Sequence, residues 1–304
     1  MTDRLPLTFA TPASSNSWEQ SLGTALAAEE AGFWGIGLGE RFDGSLTGWT
    51  LATALAARTQ RLHFFHTTLN VPYRYPYILA QEAAALDVIS GGRVILCLGT
   101  GFEPSRQNYL NAGLPFGSPG ERLQDMRDAI AILRGVWGGQ RFSHKGRFYS
   151  VEDVAPSIRP VNGIVPIWVG AGGPRMLSLA GQLAEGYMKN LGWGPVEDVR
   201  GLNDAVSDAA RSAGRDPLSI RRVMNGAAFV AHTTAELDHY IANAPRPVGG
   251  PQGGLIGSPD QILETLRQYR AAGVDTFNIS FPPDGRAEQI ARFGRQIIDA
   301  SHAL

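Results

Sequence analysis

Short apolar runs alternate with longer stretches of helical spacing along most of this chain. Residues 5–9 predict a first strand. Residues 18–31 follow as a helix, with Trp18, Leu22, Ala25 and Leu26 marking one face and Gly32 ending it. Residues 33–38 predict a second strand, which leaves through the polar turn Gly39-Glu40-Arg41-Phe42-Asp43 towards a helix over 47–57. A third strand at 61–68 precedes a helix over 77–89, stopped by Gly91-Gly92. Residues 94–98 are apolar at every position, as strands covered on both faces are, so a parallel sheet is implied. The exit turn is glycine-rich, Gly99-Thr100-Gly101-Phe102-Glu103, and residues 118–137 form a helix with Leu123, Met126, Ile130, Leu133 and Trp137 on one face.

Residues 138–165 break the rhythm. RFSHKGRFYSV spells a surface hairpin turning at Lys145-Gly146, an insertion between units. The stretch PIWVGAGGPRMLSLAGQLAEGYMKNL (166–191) then gives a strand at 167–169, a glycine turn, a helix opened by Pro174, and a sixth strand at 186–191. A helix over 195–213 and a strand over 220–231 follow, and Thr233-x-x-Glu236 is a capping box. Residues 245–257, rich in glycine and proline, read as a long loop of the kind that often forms a lid. Ser258-Pro259-Asp260-Gln261 opens a helix carrying Ile262, Leu266 and Tyr269; 276–281 is the eighth strand and 287–304 a closing helix. Eight alternating units predict a single-domain α/β fold, a (β/α)8 TIM barrel over residues 1–304. A doubly wound Rossmann sheet is the competitor. Glycine turns after strands two, four and five suit a barrel rim better than one dinucleotide fingerprint.

Composition narrows the class. The chain is 43% hydrophobic and 18% charged with a net charge of −1, which together with the lack of a basic block argues against a nucleic-acid partner. Cys97 is the single cysteine and sits in an apolar run, so no intramolecular disulfide forms and a core role is expected. The first residues show no basic region leading into an apolar segment, and no apolar window reaches the length of a membrane span. A soluble cytoplasmic protein without a membrane partner is the expectation.

In a barrel, chemistry belongs at the C-terminal ends of the strands. The polar residues there are Glu40, Arg41, residues 66–70, Thr100, Glu103, Arg175, Lys189 and Asn190. Bare amides at Gly170, Gly172 and Gly173, a helix N-terminus and Arg175 make a phosphate site; a tight strand–helix connection is the plainer alternative. Glu40 beside Arg41 is either functional or a neutralised surface pair. Glu103 acts as an acid only where burial raises its pKa; otherwise it is a solvated loop carboxylate. His63 and His66, three apart on a strand, point to opposite faces and cannot share a metal ion. His66 lies near the rim, as a ligand contact or as a packed, hydrogen-bonded histidine. No metal site, Ser/His/Asp order or CxxC spacing is present.

LAQEAAALDVISGGRVILCLGTGF (79–102), GERLQDM (120–126), VPIWVGAGGPRMLSLAGQLAEGY (165–187) and IGSPDQILETLRQYRAAGVDTFNIS (256–280) resemble the bacterial luciferase-like superfamily, and within it the coenzyme F420-dependent branch. The resemblance implies a (β/α)8 barrel holding F420, or FMN as the alternative, at its C-terminal mouth, a small-molecule substrate and a homodimer. It implies a phosphate turn at Gly170, Ala171, Gly172, Gly173 and Arg175. It also implies a non-prolyl cis peptide at Thr67-Thr68 beneath the ring, with Gly99, Thr100 and Gly101 along the ring edge; His66 and Asn190, from their place at the rim, are expected as further cofactor contacts. Glu103, offset by one residue, resembles the acid of deazaflavin-dependent sugar-phosphate dehydrogenases. Those enzymes carry Asp-His after the second strand, where this chain has Glu40-Arg41. Arginine does not give up its proton, so it cannot be the base of alcohol oxidation, whereas it can hold a carbonyl or anionic substrate. The expectation is a reductase delivering hydride from reduced F420, with Glu103, Glu40 and Arg41 as its catalytic residues. An FMN-dependent two-component monooxygenase and a cofactor-binding barrel without catalysis are the rivals.

Overall fold

Eight parallel strands close on themselves in the computed structural model, which describes residues 5–14, 16–40, 45–155, 158–189, 194–243 and 254–304. They are β1 (Thr8–Pro12), β2 (Gly35–Leu38), β3 (His63–His66), β4 (Val94–Gly99), β5 (Ile167–Gly170), β6 (Gly186–Lys189), β7 (Arg221–Val230) and β8 (Thr276–Ser280). Each pairs with the next in sequence, and β8 returns to β1 in the register Thr8↔Thr276 and Ala10↔Asn278. Each strand is followed by a helix: α1 (Trp18–Glu30), α2 (Gly48–Ala56), α3 (Pro76–Ser90), α4 (Pro119–Trp137), α5 (Pro174–Leu183), α6 (Val196–Ser212), α7 (Pro259–Ala271) and α8 (Arg286–Phe293). Closure through β1 and β8 rules out the open Rossmann sheet.

The strand alternation sorts the core into two layers. Ala10, Phe65, Ile95, Cys97, Trp168, Met188 and Val223 fill the barrel, while Phe64, Leu96 and Val169 face the helices. Cys97 is fully buried in the plug, where burial pushes its thiol pKa up, as its apolar run predicts. Helix α4 starts where its spacing predicts, and the structure adds a reciprocal capping box between Ser118 and Glu121 with Pro119 in the first turn. Its far end is tied to α3 by the Trp137 indole N–H donating to the Ala80 carbonyl at 2.9 Å. The inserted hairpin forms as Phe142–Lys145 against Ser150–Val154, and Arg147 clamps it to Asp125 on α4 at 2.6 Å.

Several boundaries differ from expectation. β1 begins at Thr8, since Thr11, polar in sequence, is buried and pairs with β2. Leu26 is exposed, and α1 instead turns small residues inward, Ser21, Thr24, Ala25 and Ala28. The closing helix is interrupted by a π-helical turn, Gly294–Ile298, where a side chain on Gly294 would overlap the Ala31 carbonyl. Gly254–Gly257, expected as the end of a loop, is a strand paired to the outer half of β7; the rest of the 245–257 loop lies outside the described residues. A helix at Arg106–Asn111 and a short strand at Leu69–Asn70 beside β4 had no clear signal in the pattern. Among the described residues no helix is long and apolar enough to cross a membrane.

Candidate functional site

The β5–α5 turn projects at the C-terminal end of the barrel. Ala171 N–H is used by the fold, donating to the Met188 carbonyl at 3.0 Å, while the N–H groups of Gly172 and Gly173 meet no acceptor among the described residues. Both glycines are exposed, and a methyl group added to either would find nothing within 4 Å. Neither has a positive φ. Pro174 occupies the first turn of α5, and no side chain caps the Gly173 end. Arg175 has no carboxylate partner among the described residues, and its guanidinium lies 3.9 Å from where a side chain on Gly120 would begin, against the first turn of α4. Unused amides, a positive helix end and an arginine without a carboxylate partner thus lie within four residues of one another, and each of them suits an anionic oxygen. An open cradle of this kind fits the phosphate of a flavin-type cofactor.

The second glycine turn is built differently. Thr67 and Thr68 are joined by a non-prolyl cis peptide at the end of β3, as the resemblance implies. Beyond it, Asn70 Oδ1 accepts from the Gly101 N–H at 3.2 Å and Asn70 Nδ2 donates to the Tyr73 hydroxyl at 3.1 Å. A side chain on Gly99 would overlap Thr68 Oγ1 and Asn70 Oδ1. Gly101 has φ of +73°, and a side chain there would meet the Tyr109 hydroxyl at 2.5 Å. Thr100 is half-buried, its hydroxyl directed to the Gly101 carbonyl at 3.5 Å.

Glu40 is held by residues well beyond its own turn. Its buried carboxylate is held by Arg74 at 2.9 Å and accepts the Trp49 N–H at 3.1 Å, capping α2 where Thr47 makes no cap bond. Arg74 also reaches Glu82 on α3 at 3.2 Å, a carboxyl whose pKa burial raises, and lies 5.5 Å from the Trp49 ring. His66 points outward from β3 and stacks on Trp49 at 5.3 Å, fully buried, with neither ring nitrogen hydrogen-bonded. Burial, with the Arg74 charge adding, pushes its pKa down to about 3, so it is a neutral packing residue. The packed histidine expected there is found, without its expected hydrogen bond among the described residues. His63, on the opposite face, stacks on Trp34 at 4.5 Å.

Glu103 is also placed differently. It starts a single 3-10 turn, Glu103–Ser105, with its side chain 68% exposed and paired to Arg106 at 3.3 Å. Phe102, expected to exclude water from it, is itself exposed. Arg41 and Asn190 lie outside the described residues. Three participants at the mouth had no motif to reveal them. Arg74 stands alone in a loop. Asn225 and Asn278 sit inside the barrel, joined at 2.7 Å, with Asn225 donating on to the Lys189 carbonyl at 3.2 Å. Their inward direction was recoverable from strand alternation, but their partners, 53 and 36 residues apart, were not.

Known proteins share both the sequence pattern and this architecture. The family profile described as luciferase-like monooxygenase matches residues 6–249. An F420-dependent glucose-6-phosphate dehydrogenase of Microbacterium testaceum is 33% identical over 304 aligned residues, covering 95% of this chain and 88% of that protein. The F420-dependent tetrahydromethanopterin reductase of Methanopyrus kandleri superposes with a TM-score of 0.81 at 18% identity, covering 97% of this chain and 99% of its own. The EDTA monooxygenase of Chelativorans sp. BNC1 gives 0.82 at 16% identity, covering 98% and 94%. At such identities the two structures establish the shared fold only, and a reductase and a monooxygenase fit it equally well.

Proposed function

The chain belongs to the luciferase-like monooxygenase family, and from that premise we propose that it is a coenzyme F420-dependent oxidoreductase working as a reductase on a small organic substrate. The observation that carries the cofactor assignment is the β5–α5 turn. Gly172 and Gly173 answer to no demand of φ or packing, and their N–H groups stand beside an unpaired Arg175. A bound phosphate explains all three facts at once. The F420 dependence named for the Microbacterium relative selects the deazaflavin over FMN.

When bound, the deazaflavin supplies a hydride, and carbon in place of N5 makes it react poorly with oxygen. In this reading Gly172, Gly173 and Arg175 hold the phosphate, Gly170 and Ala171 tie the turn to the barrel, and the Thr67-Thr68 end of β3 and the 99–101 turn border the ring. Glu40, engaged by Arg74 and by the α2 cap, positions the mouth and is not a free acid. The relative oxidises a sugar phosphate by name. Arg41 in the position where the family's dehydrogenases place histidine favours the reductive direction here, with arginine holding a carbonyl or anionic group and never accepting a proton.

Titrating the purified protein with F420 and with FMN, each followed by fluorescence, tests the assignment. Binding of F420 at least tenfold tighter than FMN is the expected result. Tighter binding of FMN, with oxygen uptake when reduced FMN is supplied, would assign the protein to the monooxygenase side of the family.

A further inference from the structure

A groove of about 270 Å³ runs between the first two turns of α1 and those of α8, outside the ring of strands. β1 and β8 are neighbours and β5 lies across the barrel from them, so the groove and the β5–α5 turn occupy opposite sides of the molecule. Gly23 and Thr24 line one wall, and Pro283, Arg286, Ala287 and Ile290 the other. Thr24 is 7% exposed, and its hydroxyl has no hydrogen-bond partner among the described residues. Helical threonines often turn the hydroxyl back to the carbonyl four residues earlier, as Thr53 and Thr265 do here at 3.1 and 2.9 Å. Thr24 does not. Its oxygen is not sealed off by the fold as that of Tyr109 is, and Thr24 opens onto the groove. Across from it, Gly285 begins α8 at a φ of +66° with no side chain to cap the helix, which leaves the first amides of α8 free. Arg286 follows, half-buried and without a carboxylate partner among the described residues. Gly23 weakens α1 simply by being glycine, yet no packing asks for it, since a methyl group there would find nothing within 4 Å. Of the nearby acids, Glu288 is drawn off by Arg292 at 2.7 Å and Glu19 by the Ser17 hydroxyl at 2.7 Å, while Asp284 stays exposed at the edge.

A helix end rich in free amides, a guanidinium and an open hydroxyl together suit an anionic oxygen. The apolar surface of Pro283, Ala287 and Ile290 suits a hydrocarbon body, and the Asp284 carboxylate at the edge disfavours a dianion such as phosphate. We propose that this groove is a second ligand site, taking a small monocarboxylate with a short apolar body. Arg286 and the α8 amides hold the carboxylate, Thr24 donates to it, and the body lies over Gly23 against Pro283, Ala287 and Ile290. The volume falls just under the roughly 300–1,000 Å³ of sites for drug-sized ligands, which limits the body to a few carbons. The inference stands apart from the cofactor reading, because the groove shares no residue with the β5–α5 turn.

The test titrates butyrate into the full chain by calorimetry, with butyramide and inorganic phosphate as controls. The expected result is saturable binding of butyrate at roughly millimolar affinity, the scale that so small a ligand reaches, with both controls binding more weakly. Arg286→Gln should weaken it at least about tenfold and Thr24→Val by about two- to tenfold, the worth of a charged and of a neutral hydrogen bond. Gly23→Leu covers the groove with a residue that favours the helix, so this variant keeps its fold and loses the binding. Absence of butyrate binding in the parent, tighter binding of phosphate or butyramide, or parent-like butyrate affinity in folded Arg286→Gln and Gly23→Leu overturns the site.

Discussion

The two glycine turns at the barrel mouth look alike in sequence and are glycine for opposite reasons. At 99–101 the fold itself demands the absence of a side chain: Gly99 is covered by Thr68 and Asn70, and Gly101 combines a φ of +73° with the Tyr109 hydroxyl in the way. At 172–173 the fold demands nothing, with ordinary backbone angles and 4 Å of open space. A glycine that its own protein would tolerate losing is best explained by a visitor that approaches the backbone closely. The same motif thus answers to the fold in one place and, in the proposed reading, to a ligand in the other.

The sharpest way to break this contrast is Gly101→Val. A β-branched residue at positive φ, overpacked against Tyr109, is expected to cost about 2–5 kcal/mol of stability, read from the urea midpoint; a loss below about 1 kcal/mol would put the two turns in one class. Gly172→Val is expected to leave unfolding within about 0.5 kcal/mol of the parent and to weaken F420 binding. Arg175→Ala should do the same, by roughly ten- to a hundredfold, the worth of one charge-assisted contact at about 1.5–3 kcal/mol. Equal F420 affinity in folded protein would remove the phosphate from the 172–173 turn. The smallest effect is expected from Glu103→Gln, beside the structural turn. Its exposed pair with Arg106 contributes at most about 0.5 kcal/mol, and neither the midpoint nor F420 affinity should move. A fall in kcat of about 10²–10⁴ would instead reveal Glu103 as the proton donor.

The order of elements was largely legible because buried parallel strands and amphipathic helices leave period and punctuation in the sequence, as at residues 94–98 and in the Ser258 capping box. The strand, glycine turn and helix over 167–183 were legible for the same local reason. What escaped depends on contacts between distant residues. Nothing near Glu40 announces that Arg74, 34 positions later, takes its charge. Nothing near Glu103 announces that its loop carries it into solvent. Leu26 misled because α1 packs through alanine, serine and threonine, whose small size a hydrophobicity pattern undervalues.

The seam between β1 and β8 has a consequence for how the chain is made. Thr8 and Thr276 share a hydrogen bond at 2.8 Å across 268 residues, so the first strand cannot find its second neighbour until almost the whole chain has been synthesised. At a ribosomal rate of roughly 5–20 residues per second, that leaves β1 with one open edge for about 15–50 seconds. An unpaired strand edge is a template for any other strand that meets it. Newborn copies on one messenger are the nearest such strands, and cells making this protein quickly should therefore see its losses during synthesis, before the barrel is complete.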